Sequence, residues 1–475
     1  MKIKKILLGL ILILVLIVPT TSLDANAVLK PAEPKGQFQI TGAGATFPFP
    51  LIDKWRVEYN ELYSGITLNY QSIGSGGGVK QHTEKTVDFG ASDAPLTPAE
   101  SGIAVGTLHI PESIGAVTIS YNIPEYAKSG LKLTGDVIAD IYMGKITKWN
   151  GKKIQDLNKD VVLPNKDILV VRRSDGSGTT FVFTDYLSTV SKTWDTNIGK
   201  GKSIGWPVGV GSPGNEGVAG VVRKTPYSIG YVELAYAVQS EMTFAFVQNA
   251  DKTNFVEPSL ESTKAAAAAS VTKLPKSDGD WSKVSIVNQP GKNSYPISSF
   301  TYLLVYQDLG KIKGMDMEHA KALVHLIHWM ITDGQEHAPS LLYVPLPDEV
   351  RELGKQGLAK IKFEGQQLFA YDGSGIVSTK PTSESTYNIP PWIKNNAKWW
   401  AENQISDGDF VMGIQYLVKE KIMIIPETKT GTATSSQQIP SWVKNNAAWW
   451  ASGQIEDNDF VKGIQYLITQ GIMKV

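Results

Sequence analysis

Arg172-Arg173-Ser174-Asp175-Gly176-Ser177-Gly178-Thr179-Thr180 gathers the groups best able to hold a small anion. The apolar run Ile168-Leu169-Val170-Val171 before it reads as a strand, and residues 181–187 after it read as the first turns of a helix. A Gly/Ser/Thr turn between strand and helix aims unpaired backbone N–H groups and the positive end of the helix dipole at one point. Two arginines stand at its entrance and two hydroxyl residues at its exit, so the simplest guest is a small tetrahedral oxyanion. The competing reading of these residues alone is a surface turn capped by Ser177 or Thr179, because glycine-rich turns are common.

Three earlier stretches belong with it. Residues 37–40 alternate as a strand and lead through Thr41-Gly42-Ala43-Gly44-Ala45 to Thr46-Phe47 at a helix start, where Pro48 and Pro50 suit a first turn that needs no N–H. Residues 66–70 read as a strand running into Ile73-Gly74-Ser75-Gly76-Gly77, with Ser75 expected as the cap of a helix that begins near Gly77. Residues 87–91 form a short strand that ends in Ser92-Asp93. A carboxylate is odd company for an anion, and on its own Asp93 reads as a loop or cap residue.

These elements alternate strand and helix, which indicates an α/β architecture. A strand over 115–122 is expected to cross into a second lobe that holds the Arg173–Thr179 turn, a further glycine turn at 211–218 and a strand at 228–233. The alanine-rich stretch 264–270 reads as an exposed helix without a site. Near Tyr295-Pro296-Ile297 the chain is expected to return to the first lobe, with a strand at 300–306 and a long amphipathic helix at 319–332.

Composition sets the class. The 475 residues balance 46 basic against 46 acidic side chains, so nothing resembles the basic footprint of a nucleic-acid binder, and an anion must be held by local geometry. Lys2, Lys4 and Lys5 precede an apolar run over 6–18, Pro19 ends it, and Ala25-Asn26-Ala27 offers small residues for cleavage, so 1–27 is expected to be a signal peptide and the mature protein exported. An uncleaved N-terminal anchor is the alternative. The chain has no cysteine, hence no disulfide and no lipid-anchor cysteine.

The tail is of another kind. A Gly/Ser/Thr/Pro linker over 373–388 precedes two copies of one unit, 389–425 and 439–475, separated by a low-complexity spacer over 426–438. Over the 35 positions from Ile389 and from Ile439, 23 are identical. Each unit reads as two short helices, with Trp399-Trp400 or Trp449-Trp450 near the end of the first and Asp409 or Asp459 capping the second. Phe410, Val411, Ile414, Leu417 and Val418 share one face. A unit this small makes a marginal core, so the tryptophans are expected to fill it or to be covered by a partner.

Taken together, GAGATFP, IGSGGGVKQ, VDFGASDAPL, DIYMGKITKWN, VVRRSDGSGTTFVFTDYL and SIGYVELAYA resemble the PstS family, the phosphate-binding component of the phosphate ABC transporter, over roughly residues 37–365. The resemblance implies a two-lobed periplasmic-binding-protein fold of type II with a hinge, plus, in this chain, two small all-α C-terminal units. Lobe 1 would comprise 37–114 and 296–372, lobe 2 would comprise 115–295, and 28–36 would be a linker. It implies phosphate ligands at Thr46, Phe47 by its backbone N–H, Ser75, Asp93, Arg173, Ser177, Gly178 by its backbone, and Thr179, with Asp175 holding Arg173. Asp93 then acquires a role: phosphate near neutral pH still carries a proton to give to a carboxylate, whereas sulfate carries none. The implied partner is an ABC permease, and no cofactor is implied. In the open protein each lobe would hold half of the ligands, and the anion would join the halves. The Trp-Trp repeats depart from the family and resemble modules on secreted proteins of ammonia-oxidising archaea. With no lipid-anchor cysteine, they are expected to tether the protein at the cell surface.

Other chemistry reads weakly. His319, His325 and His328 have loosely metal-like spacing but fall on an amphipathic helix, so no metal is expected there. Asp407-Gly408-Asp409 and Asp457-Asn458-Asp459 lack the further ligands of a calcium loop. Arg172 reads as a solvated neighbour of Arg173. A phosphatase would need a nucleophile with a base or a metal cluster, and Ser75, Ser177 and Thr179 have no histidine in their motifs. A third reading, an adhesion or surface-layer protein with a vestigial anion site, fits poorly with so complete a ligand set.

Overall fold

The computed structural model describes residues 30–270, 274–371, 393–402, 404–419, 423, 439–451 and 457–473. The expected signal segment 1–27 and the linkers 373–388 and 426–438 lie outside them. The chain forms two compact units, Met1–Gly375 and Ile376–Val475.

One run of strands organises the first unit, in the order Ile66–Ser72, Phe38–Gly44, Phe89–Ser92, Ser298–Tyr306, Thr107–Asn122, Ser228–Glu233, Leu169–Arg173, Val210–Ser212. The first three are mutually parallel, and so are the last three. Each parallel group is built of strand–turn–helix units that return the chain to the same edge. The apolar residues Ile40, Leu68, Phe89, Val170 and Ile229 are buried in these strands, and helices cover them.

The strand Thr107–Asn122 runs between the two groups, antiparallel to both of its neighbours. Its first part pairs with Ser298–Tyr306 and its last six residues pair with Ser228–Glu233. The lobe boundary expected at 114/115 therefore falls inside a 16-residue strand. The return crossing lies beside it: Ser298 pairs with Ala116, the Val117 N–H donates to Ile297 O, and the Tyr295 hydroxyl donates to Val117 O. Two adjacent extended segments thus link the lobes.

Two local expectations need correction. The helix at Leu260–Ala268 buries Ala266 and Ala267 fully, so it is half-embedded and not an exposed helix. High alanine content reports helix propensity but not burial. The helix after Ile66–Ser72 begins at Ser75, and Gly74 is its cap. Gly74 adopts φ +84, and a Cβ there would lie 2.3 Å from Asp175 Oδ2, so both backbone and packing require glycine.

In the second unit each repeat forms two helices, Ile393–Ala401 with Asp407–Lys419 and Ser441–Ala451 with Asp457–Thr469. Trp400 stacks on Phe410 at 3.9 Å, and Trp450 on Phe460 at 3.8 Å, each pair within 5° of parallel. The two repeats share one core and do not stand as separate cores. Their contacts are reciprocal: Lys394 Nζ lies 5.3 Å over the Trp450 ring, and Lys444 Nζ lies 5.4 Å over Trp400. Trp400 and Trp450 are buried, while Trp399 and Trp449 are about half exposed. Asp409 lies inside the first turn and does not cap the second helix of repeat 1. Ser406 does, its Oγ accepting from the Asp409 N–H at 3.1 Å while Asp409 Oδ2 accepts from the Ser406 hydroxyl at 2.6 Å. The helix of repeat 2 likewise starts at Asp457, ahead of Asp459.

Candidate functional site

The parallel strands end where the two lobes meet, and the candidate residues lie just past those ends. Thr46 and Phe47 follow Phe38–Gly44, Ser75 follows Ile66–Ser72, and Asp93 follows Phe89–Ser92. Arg173 closes Leu169–Arg173 and leads to the helix Gly178–Val190. A crevice beyond the carboxyl ends of parallel strands is where α/β sheets present helix N-termini to a ligand. All eight residues named from the sequence are buried.

The second lobe supplies donors. Ser177 caps the helix Gly178–Val190, its Oγ accepting from the Thr180 N–H at 3.0 Å and its carbonyl from the Phe181 N–H at 3.1 Å. The cap leaves the Gly178 and Thr179 N–H groups, at the positive end of the helix dipole, for a guest. Ser177 caps the helix as the surface-turn reading had it, but residues 177–180 and Arg173 are buried, so this end of the turn does not lie at the surface. The Arg173 side chain is 1% exposed. Its Nε donates to Asp175 Oδ1 at 2.7 Å and its Nη2 to Asp175 Oδ2, while Nη1 reaches Thr179 Oγ1 at 3.4 Å. This forked pair fixes the plane of the guanidinium. Burial raises the Asp175 carboxyl, but its bonds to Arg173 and to the Gly214 N–H outweigh burial and hold it below the usual carboxylate range. Arg172 is half-buried and donates to the Arg173 carbonyl at 3.2 Å, which keeps it out of the crevice.

The first lobe supplies hydroxyls and the carboxylate. Ser75 Oγ accepts from the Asp93 N–H at 3.2 Å and lies 3.5 Å from Asp93 Oδ2. Asp93 Oδ1 accepts from the Thr301 hydroxyl at 3.1 Å. Burial pushes the Asp93 carboxyl up to about 7, against the pull of Thr301, Arg173 and Ser75. Asp93 Oδ2 faces the opposite lobe: a Cβ on Gly178 would lie 2.4 Å from it and 2.4 Å from Ser75 Oγ.

The lobes touch directly. The Gly76 N–H donates to Gly176 O at 2.8 Å, the Tyr236 hydroxyl donates to Thr46 O at 2.7 Å, and Lys202 Nζ pairs with Glu100 at 2.7 Å. Protein–protein bonds thus join the halves beside any that an anion would make.

Asn215, the second residue of the helix Gly214–Lys224, has no counterpart among the residues named from the sequence. It is fully buried, and its Nδ2 donates to Thr46 Oγ1 at 2.8 Å and to Thr179 Oγ1 at 3.1 Å, tying the two lobes together through the site. The glycine turn at 211–218 shares the strand–turn–helix pattern of the others and was the signal available for it. Thr301 and Glu112, beside Asp93, carry no such signal.

The crevice can therefore surround a small anion with Arg173, hydroxyls and helix N–H groups, and offer one carboxylate to a proton on that anion. Away from it, His319 Nε2 lies 3.2 Å from Asp88 Oδ2 and His325 Nδ1 lies 2.7 Å from the Tyr59 hydroxyl. Among the described residues, no three His, Cys, Asp or Glu side chains gather as a metal site would require.

Comparison with known proteins agrees with this architecture. Residues 30–333 match the model of the PBP superfamily domain. The phosphate-binding protein PstS of Pasteurella multocida is 46% identical over 311 residues, which are 66% of this chain and 87% of that protein. The phosphate-binding protein PstS of Methanocaldococcus jannaschii is 38% identical over 381 residues, 76% of this chain and 97% of that protein. Among solved structures, a high-affinity periplasmic phosphate-binding protein with phosphate bound superposes with a TM-score of 0.52 at 20% identity, covering 68% of this chain and 99% of its own. That last likeness concerns the fold alone.

Proposed function

The chain belongs to the PstS family of phosphate-binding proteins, and we propose on that basis that it is an extracytoplasmic receptor that captures inorganic phosphate between its lobes and delivers it to an ABC permease. It acts by binding and not by catalysis. The ligands are Thr46, the Phe47 N–H, Ser75, Asp93, Arg173, Ser177, the Gly178 N–H and Thr179, with Asp175 orienting Arg173 and Asn215 bridging the two lobes.

One observation carries this reading: a nearly fully buried guanidinium and a buried carboxylate converge on one crevice between helix N-termini. Each charge-assisted bond from Arg173 is worth about 1.5–3 kcal/mol, and each helix end adds about 0.3–1 kcal/mol. Asp93 accepts the proton of monohydrogen phosphate. Sulfate has none, so its oxygens meet Asp93 with like-charge repulsion and no bond. Calorimetric titration with phosphate, sulfate and arsenate tests the assignment. Tight phosphate binding with weak sulfate binding is expected, and tight sulfate binding overturns it.

The N-terminal segment directs export, and the paired Trp-rich repeats, of the kind seen on archaeal secreted proteins, tether the receptor to the cell envelope or to another surface protein. Deleting 373–475 should release the receptor into the medium with its phosphate affinity intact; unchanged surface retention sinks the tether.

A further inference from the structure

Beside the anion crevice lies a second acidic group that none of the proposed ligands accounts for. In the pairing of Thr107–Asn122 with Ser298–Tyr306, Ser113 faces Thr301 and Pro111 faces Tyr302, so Glu112 is the extra residue of a β-bulge. A bulge turns one side chain away from the alternation of its strand. Here it turns Glu112 to the interior, fully buried, with Oε1 3.1 Å from Thr301 Oγ1 and Oε2 without a hydrogen-bond partner. The same Thr301 hydroxyl lies 3.1 Å from Asp93 Oδ1.

A hydroxyl has one proton to donate. If both carboxyls were ionised, Thr301 could satisfy only one, and the other would press an anionic oxygen against its lone pairs, a costly contact in a buried site. One of the two acids therefore holds a proton, and their surroundings decide which. Asp93 is faced by Arg173 and Ser75, which favour its charge, with Asp175 opposing. Glu112 faces no cation: Thr301 alone favours its charge, and Asp93 opposes it. The other titratable groups that sense this pair are Glu233 and the hydroxyls of Tyr70, Tyr236, Tyr302 and Tyr343, all raised by burial. Burial pushes Glu112 up to about 8 and Asp93 only to about 7.

We propose that Glu112 is a positioning residue that keeps its proton, donates it in a hydrogen bond to Thr301, and so directs the Thr301 proton to Asp93, holding Asp93 as an ionised acceptor and setting discrimination between phosphate and sulfate. The proposal rests on the phosphate-receptor reading. A proton placed on Asp93 instead would turn it into a donor, and a donor accepts sulfate. Glu112 thus sets specificity without touching the ligand.

The test uses the full chain and measures phosphate and sulfate dissociation constants for the wild type, Thr301→Val, Thr301→Ser and Glu112→Gln. Thr301→Val keeps the shape and cuts the chain, so the sulfate/phosphate ratio of dissociation constants should fall about tenfold or more. Thr301→Ser keeps the hydroxyl and should restore it. Glu112→Gln keeps a donor to Thr301 and should keep the ratio near neutral pH. Above the Glu112 titration the wild type must shed a proton that binding requires, so its phosphate affinity relative to Glu112→Gln should fall by up to about tenfold per pH unit. Comparing the two proteins at each pH cancels the ionisation of phosphate itself. Thr301→Val with unchanged discrimination, equal impairment of Thr301→Val and Thr301→Ser, or a wild-type/Glu112→Gln ratio flat through about pH 9.5 overturns the proposal. Should Glu112→Gln not fold, the threonine pair decides. A wild-type chain that binds no phosphate refutes the receptor reading itself, which separates the two failures.

Discussion

Asp93→Asn probes the chemistry that would separate phosphate from sulfate. Asp93 is 1% exposed, its Oδ1 accepts from Thr301 and its Oδ2 looks across the crevice at Gly178. In the variant the amide oxygen keeps the Thr301 bond, and the amide N–H2 takes the place of Oδ2. Phosphate loses the acceptor for its proton, a charge-assisted bond worth about 1.5–3 kcal/mol, and so binds about 10- to 150-fold more weakly. Sulfate loses a like-charge contact and gains a charge-assisted bond from the amide N–H worth about 1.5–3 kcal/mol. Discrimination should thus fall by more than phosphate affinity does. Competition calorimetry at about pH 8, where phosphate is mostly monohydrogen and Asp93 mostly ionised, measures both constants. The same variant alters stability. The folded Asp93 carboxyl is raised above its ordinary value, so the wild type is most stable below that value and loses stability as pH rises toward about 7. Asp93→Asn lacks that loss, and without anion its unfolding midpoint should exceed the wild type's above about pH 7. An unchanged sulfate/phosphate ratio refutes the reasoning, since it would mean Asp93 does not read the ligand's proton.

Further outcomes follow from the same geometry. Arg173→Lys keeps the charge but loses the fork that binds Asp175 through two nitrogens, and phosphate affinity should fall by about 1.5–3 kcal/mol in a calorimetric titration. Gly178→Ala suits a helix start yet would set a Cβ 2.4 Å from Asp93 Oδ2 and Ser75 Oγ, so affinity should drop by about 1–3 kcal/mol while the circular dichroism spectrum stays that of the wild type. The Lys202–Glu100 pair joins the lobes, and the Glu100 carboxyl is lowered: burial raises it, but Lys202 and the Thr97 cap outweigh burial. Its contribution to closure is present above the ordinary glutamate value and is lost as pH falls through the lowered one, so Lys202→Ala should speed phosphate release severalfold at neutral pH and have no effect in acid. Trp400→Ala removes a ring from the shared core of the repeats and should destabilise that unit by about 3–5 kcal/mol in denaturant melts, with phosphate affinity unchanged.

Much of the candidate site is legible in the sequence because its residues sit where strands end and helices begin, and glycines, hydroxyls and prolines mark such points locally. Arg173, Ser177 and Ser75 announce themselves this way. Asn215 does not, although its turn has the same pattern, because an uncharged amide carries no sign of its role and its partners Thr46 and Thr179 are 169 and 36 residues away. Glu112 is hidden further still. It is placed by a bulge between strands whose paired residues lie almost two hundred positions apart, and no local pattern encodes that register. The repeats were plain as repeats, but their reciprocal pairing through Lys394 and Lys444 is a tertiary fact that periodicity does not contain. The alanine run misled for the opposite reason: a strong local signal for helix says nothing about which face is covered.

The most direct test of the central claim is equilibrium dialysis of the purified chain against labelled phosphate in a large excess of sulfate. The account predicts one phosphate retained per chain and not displaced by sulfate. Absence of retained phosphate, or its displacement by sulfate, would contradict it.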